Sequence, residues 1–288
     1  MRTALLFASI GLVSCSDEGA PAVDAGIVDA VTSDAPTGTP SIEGTPVSSF
    51  ETTSCMTSDV LALSVQIAQE VDCLMPGQLV RFEEAGQIVF AGGAVLPYVS
   101  MAARTDLLAA LAAKPGTQLQ VTSAFRTVVQ QYLLNRWFQL SRCGITAAAD
   151  PGSSNHESGR ALDVSNYSPW ISTMAAHGWS HDIPGDPVHF DHRASPDIRG
   201  ADVLAFQRLW NKNAPDDQIA EDGDYGPATE MRVKRAPAEG FGIGASCASS
   251  MRAVISDVAR DPSLAVEARR DSGRSRVEPL VQPRYRPR

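Results

Sequence analysis

No apolar run in the 288-residue sequence reaches the roughly 20 residues that a membrane-spanning helix requires, which excludes a polytopic membrane protein. Five cysteines are present without a single CxxC pair, so zinc-finger readings fail. Basic residues are in deficit: 24 Lys and Arg against 33 Asp and Glu leave a formal charge of −9. A sequence-independent nucleic-acid binder needs the opposite balance to neutralise phosphates. Aromatics are sparse at 6%, which argues against a sugar-stacking lectin. With 43% hydrophobic and 20% charged residues the rest is ordinary, and the length allows one large or two modest domains with a buried core.

The missing positive charge has an address. Ser16–Phe50 holds six acids (Asp17, Glu18, Asp24, Asp29, Asp34, Glu43) and no Lys or Arg. The stretch has no hydrophobic periodicity, so residues 16–50 are expected to form a disordered acidic tether. Ahead of it, MRTALLFASIGLVSC has one Arg, a short apolar run and small residues, the layout of a secretory signal peptide over residues 1–15. Its ending, Leu12-Val13-Ser14-Cys15, resembles a bacterial lipobox. The expectation is export across a bacterial inner membrane, lipidation of Cys15, and a lipid-anchored protein facing the periplasm or cell envelope. In that oxidising setting Cys55, Cys73, Cys143 and Cys247 form an even set with three possible pairings. The pairing preferred is Cys55–Cys73 with Cys143–Cys247, and the sequence does not choose among the three.

Periodicity predicts a helix over Ser58–Asp72, capped by Ser58 or Asp59, and a hairpin in Gln78–Ala91 turning at Glu84-Ala85-Gly86. A helix over Met101–Ala113 stops at Lys114-Pro115-Gly116, a strand spans Thr117–Ser123, and an amphipathic helix spans Thr127–Arg142. Ala161–Val164 and Val188–Phe190 read as short buried strands. Without regular βαβ alternation, the class is α+β.

Two of the five histidines stand in telling contexts. His156 occupies a Gly/Ser-rich loop, and Asp163 follows inside the apolar run Ala161-Leu162-Asp163-Val164. A carboxylate in such a strand is costly unless it is paired or binds a cation, and His189 between Val188 and Phe190 poses the same problem. Two imidazoles and a carboxylate leave a fourth position open on tetrahedral zinc, as in a catalytic site. Asp186 lies three residues before His189 as a possible base, with Asp191 the next candidate. His177, His181 and His192 match no ligand position, and Trp170 and Trp179 read as core.

The segment SNHESGRALD resembles the SxHxxGxAxD motif of the zinc D-Ala-D-Ala carboxypeptidase and L-alanyl-D-glutamate peptidase family (VanY-like), which shares the hedgehog/DD-peptidase fold. Thr122–Thr127 followed by Gln130 or Gln131 is similar to that family's SxxR(S/T)…Q segment, and GDPVHFD to its second-ligand segment. The resemblance implies one Zn²⁺ held by His156, Asp163 and His189. It implies Asp186 as general base, Arg126 as a group that binds a substrate carboxylate or polarises the scissile carbonyl, and Ser154 and Gln130 as supporting substrate-binding residues. The implied activity is hydrolysis of peptidoglycan stem peptides, with a peptidase domain over residues 51–194. Asp186 departs from the Glu-x-x-His of many family carboxypeptidases and is more like the endopeptidase branch, which leaves the bond open between D-Ala-D-Ala and L-Ala-D-Glu.

Downstream, VxxFQ…DGxYGxxT over Val203–Thr229 resembles a small all-α peptidoglycan-binding domain, expected over residues 195–245 with a helix start at Ser195-Pro196-Asp197. EF-hand spacing is absent around Gly223, and Pro237 cuts the last helix short. Residues 246–288 are expected to be a basic, mostly disordered tail. The reading is therefore a monomeric, membrane-tethered peptidoglycan peptidase without nucleic-acid partners. The alternative is a non-catalytic wall-binding lipoprotein that keeps the fold.

Overall fold

A computed structural model describes residues 38–83 and 86–247. The signal peptide with Cys15, most of the tether and the tail from residue 248 lie outside the described residues. Seven α-helices and six strands are described: α1 (Phe50–Thr53), α2 (Leu61–Leu74), β1 (Leu79–Arg81), β2 (Ile88–Phe90), β3 (Tyr98–Ser100), α3 (Met101–Ala113), β4 (Leu119–Ser123), α4 (Val128–Gln139), β5 (Ala161–Val164), α5 (Ile171–Ala176), β6 (His189–Asp191), α6 (Ala201–Asn213) and α7 (Pro227–Arg235). The class is α+β, as the sequence predicts. No described helix is long and apolar enough to cross a membrane.

The central sheet runs β2-β4-β5-β6, with β2 parallel to β4 and the other pairs antiparallel. Period-2 alternation divides its faces. Leu162, Val164 and Phe190 point into a core closed by Leu107 and Ala110 of α3, Met174 of α5, and Trp170 and Trp179. The register sets Ser123 opposite Asp163 and Asp163 opposite His189, so these three form a row on the other face. A second core joins α2, α4 and α6 through Ile67, Leu133, Phe206 and Trp210. The segment expected to form a small separate domain thus shares its core with α2 and α4.

Several expectations are corrected. β1 and β2 do not form a hairpin: β1 pairs with β3 in a two-stranded sheet, while β2 pairs with β4. Non-local pairing wins because β2 adds a buried Ile88 beside Leu119 of the main core. The helix after residue 195 begins at Ala201, behind Gly200 at φ +90°. Ser195 cannot cap it, because its Oγ is shared with His192 and Ser100, and Asp197 is held by Arg160 and Arg199. Gly200 is required by close approach, since a Cβ there would lie 2.9 Å from the Gly223 carbonyl oxygen.

The disulfides are Cys55–Cys143 and Cys73–Cys247, not the preferred pairing. Cys73 sits in the last turn of α2, which packs along α6, and so meets the chain leaving the fold rather than the loop before α2. Nearby, the buried Glu70 gathers Arg208, Lys212 and both the backbone N–H and hydroxyl of Ser246. The tether is shorter than expected: from Ser41 onward the chain is folded. Ser41 N–H donates to Asn213 and its carbonyl accepts from Gly242, while Val47 N–H donates to Ala236 and Thr45 accepts from Ala238. Residues 41–47 and 236–242 thereby clasp each other.

Candidate metal centre and cleft

The floor of the site is the polar row of the sheet. β4 ends at Ser123, and the chain turns through Ala124 and Phe125 to Arg126 at the entry of α4. A short 3₁₀ turn, Asn155–Ser158, carries His156 and is closed reciprocally: Ser154 Oγ accepts from His156 N–H, and the Glu157 carboxylate accepts from Ser154 N–H at 2.9 Å. Gly159 follows at φ +64°, a left-handed backbone region that favours glycine, and a Cβ there would lie 2.3 Å from the end of the Leu79 side chain.

His156 Nε2, Asp163 Oδ1 and His189 Nδ1 stand 3.2 Å from one another on all three sides. Each ring is oriented from behind. His156 Nδ1 lies 2.7 Å from the Ala124 carbonyl, which can only accept, so that nitrogen carries its proton there. His189 Nε2 lies 2.9 Å from Asp191 Oδ1, which also accepts from Asn155 Nδ2. In the neutral rings the two inward nitrogens are then bare lone pairs, facing each other and a carboxylate oxygen. Three converging acceptors demand a positive charge between them. The ~3.3 Å spacing expected for ligands of a tetrahedral ion with bonds of ~2.0–2.1 Å matches the triangle. The donor set therefore fits zinc.

The electrostatics express the same demand. Burial opposes charge on His189, yet its hydrogen bonds to the Asp163 and Asp191 carboxylates outweigh it and raise its pKa to about 9. Burial and the Arg126 guanidinium lower that of His156. Burial would raise Asp163, but His156, His189 and Arg126 together hold it well below the usual carboxylate range. Beneath the turn, Glu157 faces Asp202 of α6. Burial lifts Glu157 to about 7, and burial with the neighbouring carboxylate lifts Asp202 well above its ordinary value.

Above the floor is a cleft of about 650 Å³, lined by Arg126, Ser154, His156, Asp163, Asp186 and His189 among others. Arg126 donates to Gln131 Oε1 (2.8 Å), Ser123 Oγ (3.0 Å) and Asp163 Oδ2 (3.1 Å). That last bond occupies the outer oxygen of Asp163 and leaves Oδ1 for the triangle. Asp186 lines the cleft from the loop before β6. His181 steadies that loop through the Pro187 carbonyl and packs on Tyr167 and Phe190.

Two sequence expectations change. Gln130 is absent from the cleft: it is buried, its Oε1 caps Thr127 N–H and its amide donates to Ala94. Helical geometry turns the next residue, Gln131, toward Arg126 instead. Asp191 is committed to His189 and 2% exposed, so it orients a ring rather than serving as base. His192 is also occupied, between Asp106 and Ser195. Asp191 was discoverable in sequence, because residues i and i+2 of a strand share a face. Arg199, which lines the cleft while paired with Asp197 and donating to the Ser153 carbonyl, carried no such signal.

Residues 98–180 match the family model described as VanY, D-alanyl-D-alanine carboxypeptidase. That segment contains Arg126, His156 and Asp163 and stops before Asp186 and His189, which only the fold brings to the same place. Among solved structures, the chain is similar to the LdcB LD-carboxypeptidase, described as revealing the molecular basis of peptidoglycan recognition. The identity is 20% over 50% of this chain and 79% of that one, with a TM-score of 0.31. No curated protein matches the sequence.

Proposed function

On the premise that the chain carries a VanY-like peptidase domain over residues 98–180, we propose that it is a zinc-dependent peptidase of peptidoglycan stem peptides. It would cut D-Ala-D-Ala as a carboxypeptidase or L-Ala-D-Glu as an endopeptidase. The observation that carries this reading is the triangle of inward lone pairs on His156, Asp163 and His189, at the floor of a cleft that also holds Arg126 and Asp186.

His156, Asp163 and His189 would hold the zinc, which when bound would polarise a carbonyl as a Lewis acid and acidify a water toward neutral pH. Asp186 takes the proton of the attacking water and returns it to the leaving amine. Arg126, fixed by three hydrogen bonds and lining the cleft, would donate its remaining N–H groups to a substrate carboxylate or to the oxygen on which charge develops. Ser154 holds the His156 turn in shape. Export and lipidation at Cys15 belong to the same proposal: the enzyme would work as a monomer on the envelope side of a bacterial membrane.

Purified muropeptides incubated with the protein, with products weighed and bound metal measured, test the reading. Wild type is expected to carry one zinc and shorten the peptides, and His156→Ala to lose both properties. Asp186→Asn is expected to keep the metal while losing about 10²–10⁴-fold in rate. Release of D-alanine alone excludes the endopeptidase version. Intact muropeptides despite full metal loading overturn the hydrolase reading in favour of a binding-only protein.

A further inference from the structure

One wall of the cleft is built differently from the rest. From Ile145 to Asp150 the chain runs without turn or bend and belongs to no helix or sheet. Its residues Ile145–Ala149, together with the preceding Gly144, line the cleft. No backbone hydrogen bond joins Thr146, Ala147 or Ala148 to another described residue. Both ends are nevertheless pinned. Cys143, at the near end, is bonded to Cys55. At the far end the Ala149 carbonyl accepts from Gln131 Nε2 at 2.8 Å and Asn135 Nδ2 at 3.1 Å. Gln131 is also the residue that holds Arg126, so one side chain sets both the wall and the cleft's arginine.

The Ala149 carbonyl points toward α4. Thr146, Ala147 and Ala148 line the cleft, and their backbone N–H and C=O groups have no backbone partner among the described residues. Three consecutive alanines follow Thr146, and side chains this small let a second backbone come close.

We propose that Thr146–Ala148 is a strand-pairing subsite that binds the main chain of the substrate peptide in extended form, with a carboxylate of the peptide directed to Arg126. The mode is addition of a strand to an unpaired edge, in which main-chain hydrogen bonds supply affinity and side-chain contacts supply selection. Charge complementarity selects the occupant. Arg126 lines the same cleft, and a stem peptide is a chain bearing carboxylates. Pinning both ends in advance lowers the ordering cost of binding. The inference rests on the peptidase reading and adds to it how the peptide is held.

The test uses a stem pentapeptide and its depsipeptide analogues, in which single amides are replaced by esters. With wild type, amide hydrogen exchange at Thr146 and Ala148 is expected to slow on pentapeptide binding, and one ester replacement to weaken binding about 2- to 10-fold. Ala148→Pro removes the N–H and is expected to weaken binding by a similar factor, with metal content unchanged. Ala148→Ser, which keeps the N–H, is expected to bind as wild type. The ester removes a substrate N–H and Ala148→Pro a protein N–H, two different bonds, so their costs are expected to add. Binding with no protection at residues 146–148 and no ester effect overturns the subsite and leaves the peptidase intact. Failure to bind or cleave any stem peptide overturns both.

Discussion

The floor and the wall of the cleft achieve order by opposite means. On the floor, every group of the triangle is oriented by a named partner: Ala124 behind His156, Arg126 beside Asp163, Asp191 behind His189. Strand register adds a second constraint, since Ser123, Asp163 and His189 are fixed relative to one another before any side chain is placed. The wall has no such lattice and is held at its two ends, by Cys55–Cys143 and by Gln131 with Asn135. Groups that must meet an ion within tenths of an ångström are over-determined, whereas a surface that meets a peptide keeps unpaired backbone.

The largest way to break this contrast is to release the wall. Replacing Cys55 and Cys143 together with serine opens an 88-residue loop and is expected to cost about 2–5 kcal/mol of folding stability. Denaturant unfolding checks the loss, and metal content measured in native buffer should be unchanged, since the bonds that orient the triangle involve neither cysteine. On the floor, Asp191→Ala leaves the three ligands present but frees the His189 ring. Metal affinity is expected to fall about 10- to 100-fold by competitive chelator titration, with the fold intact by circular dichroism.

The smallest effect lies beneath both regions, at Glu157 and Asp202. Both carboxyls have pKa values above those of the unfolded chain, so the folded protein binds more protons than the unfolded one between about pH 4 and 7. Their contribution to stability is complete below pH 4 and declines as pH rises through the folded value of about 7. Metal-loaded wild type should thus lose thermal stability across that range more steeply than Asp202→Asn, which removes one of the two acids. Parallel Tm-versus-pH curves for the two proteins would contradict this.

What the sequence made legible follows from how local each signal is. Asp163 in an apolar strand and His189 in another are anomalies at single positions, and each identified itself. The helix over Met101–Ala113 needed only its own composition and its Lys114-Pro115-Gly116 stop, and it forms over those residues. By contrast, the choice between Gln130 and Gln131 depends on which side of α4 meets the cleft. The pairing of β1 with β3 depends on a partner 19 residues away, and the disulfides on how α2 lies against α6. Ser195-Pro196-Asp197 is locally a good helix start, and tertiary partners claimed both polar side chains. Such outcomes depend on contacts distant in sequence, which no window of residues contains.

The clasp between residues 41–47 and 236–242 has a mechanical consequence. Tension applied to the chain ahead of Ser41 enters a short ladder of backbone bonds to the far end of the fold, and Asn213 of α6 shares the load. The force is discharged among the terminal segments and α6, and the four-stranded sheet lies outside that path. The protein can be tugged by its leading segment while the spacing of His156, Asp163 and His189 stays as the sheet sets it.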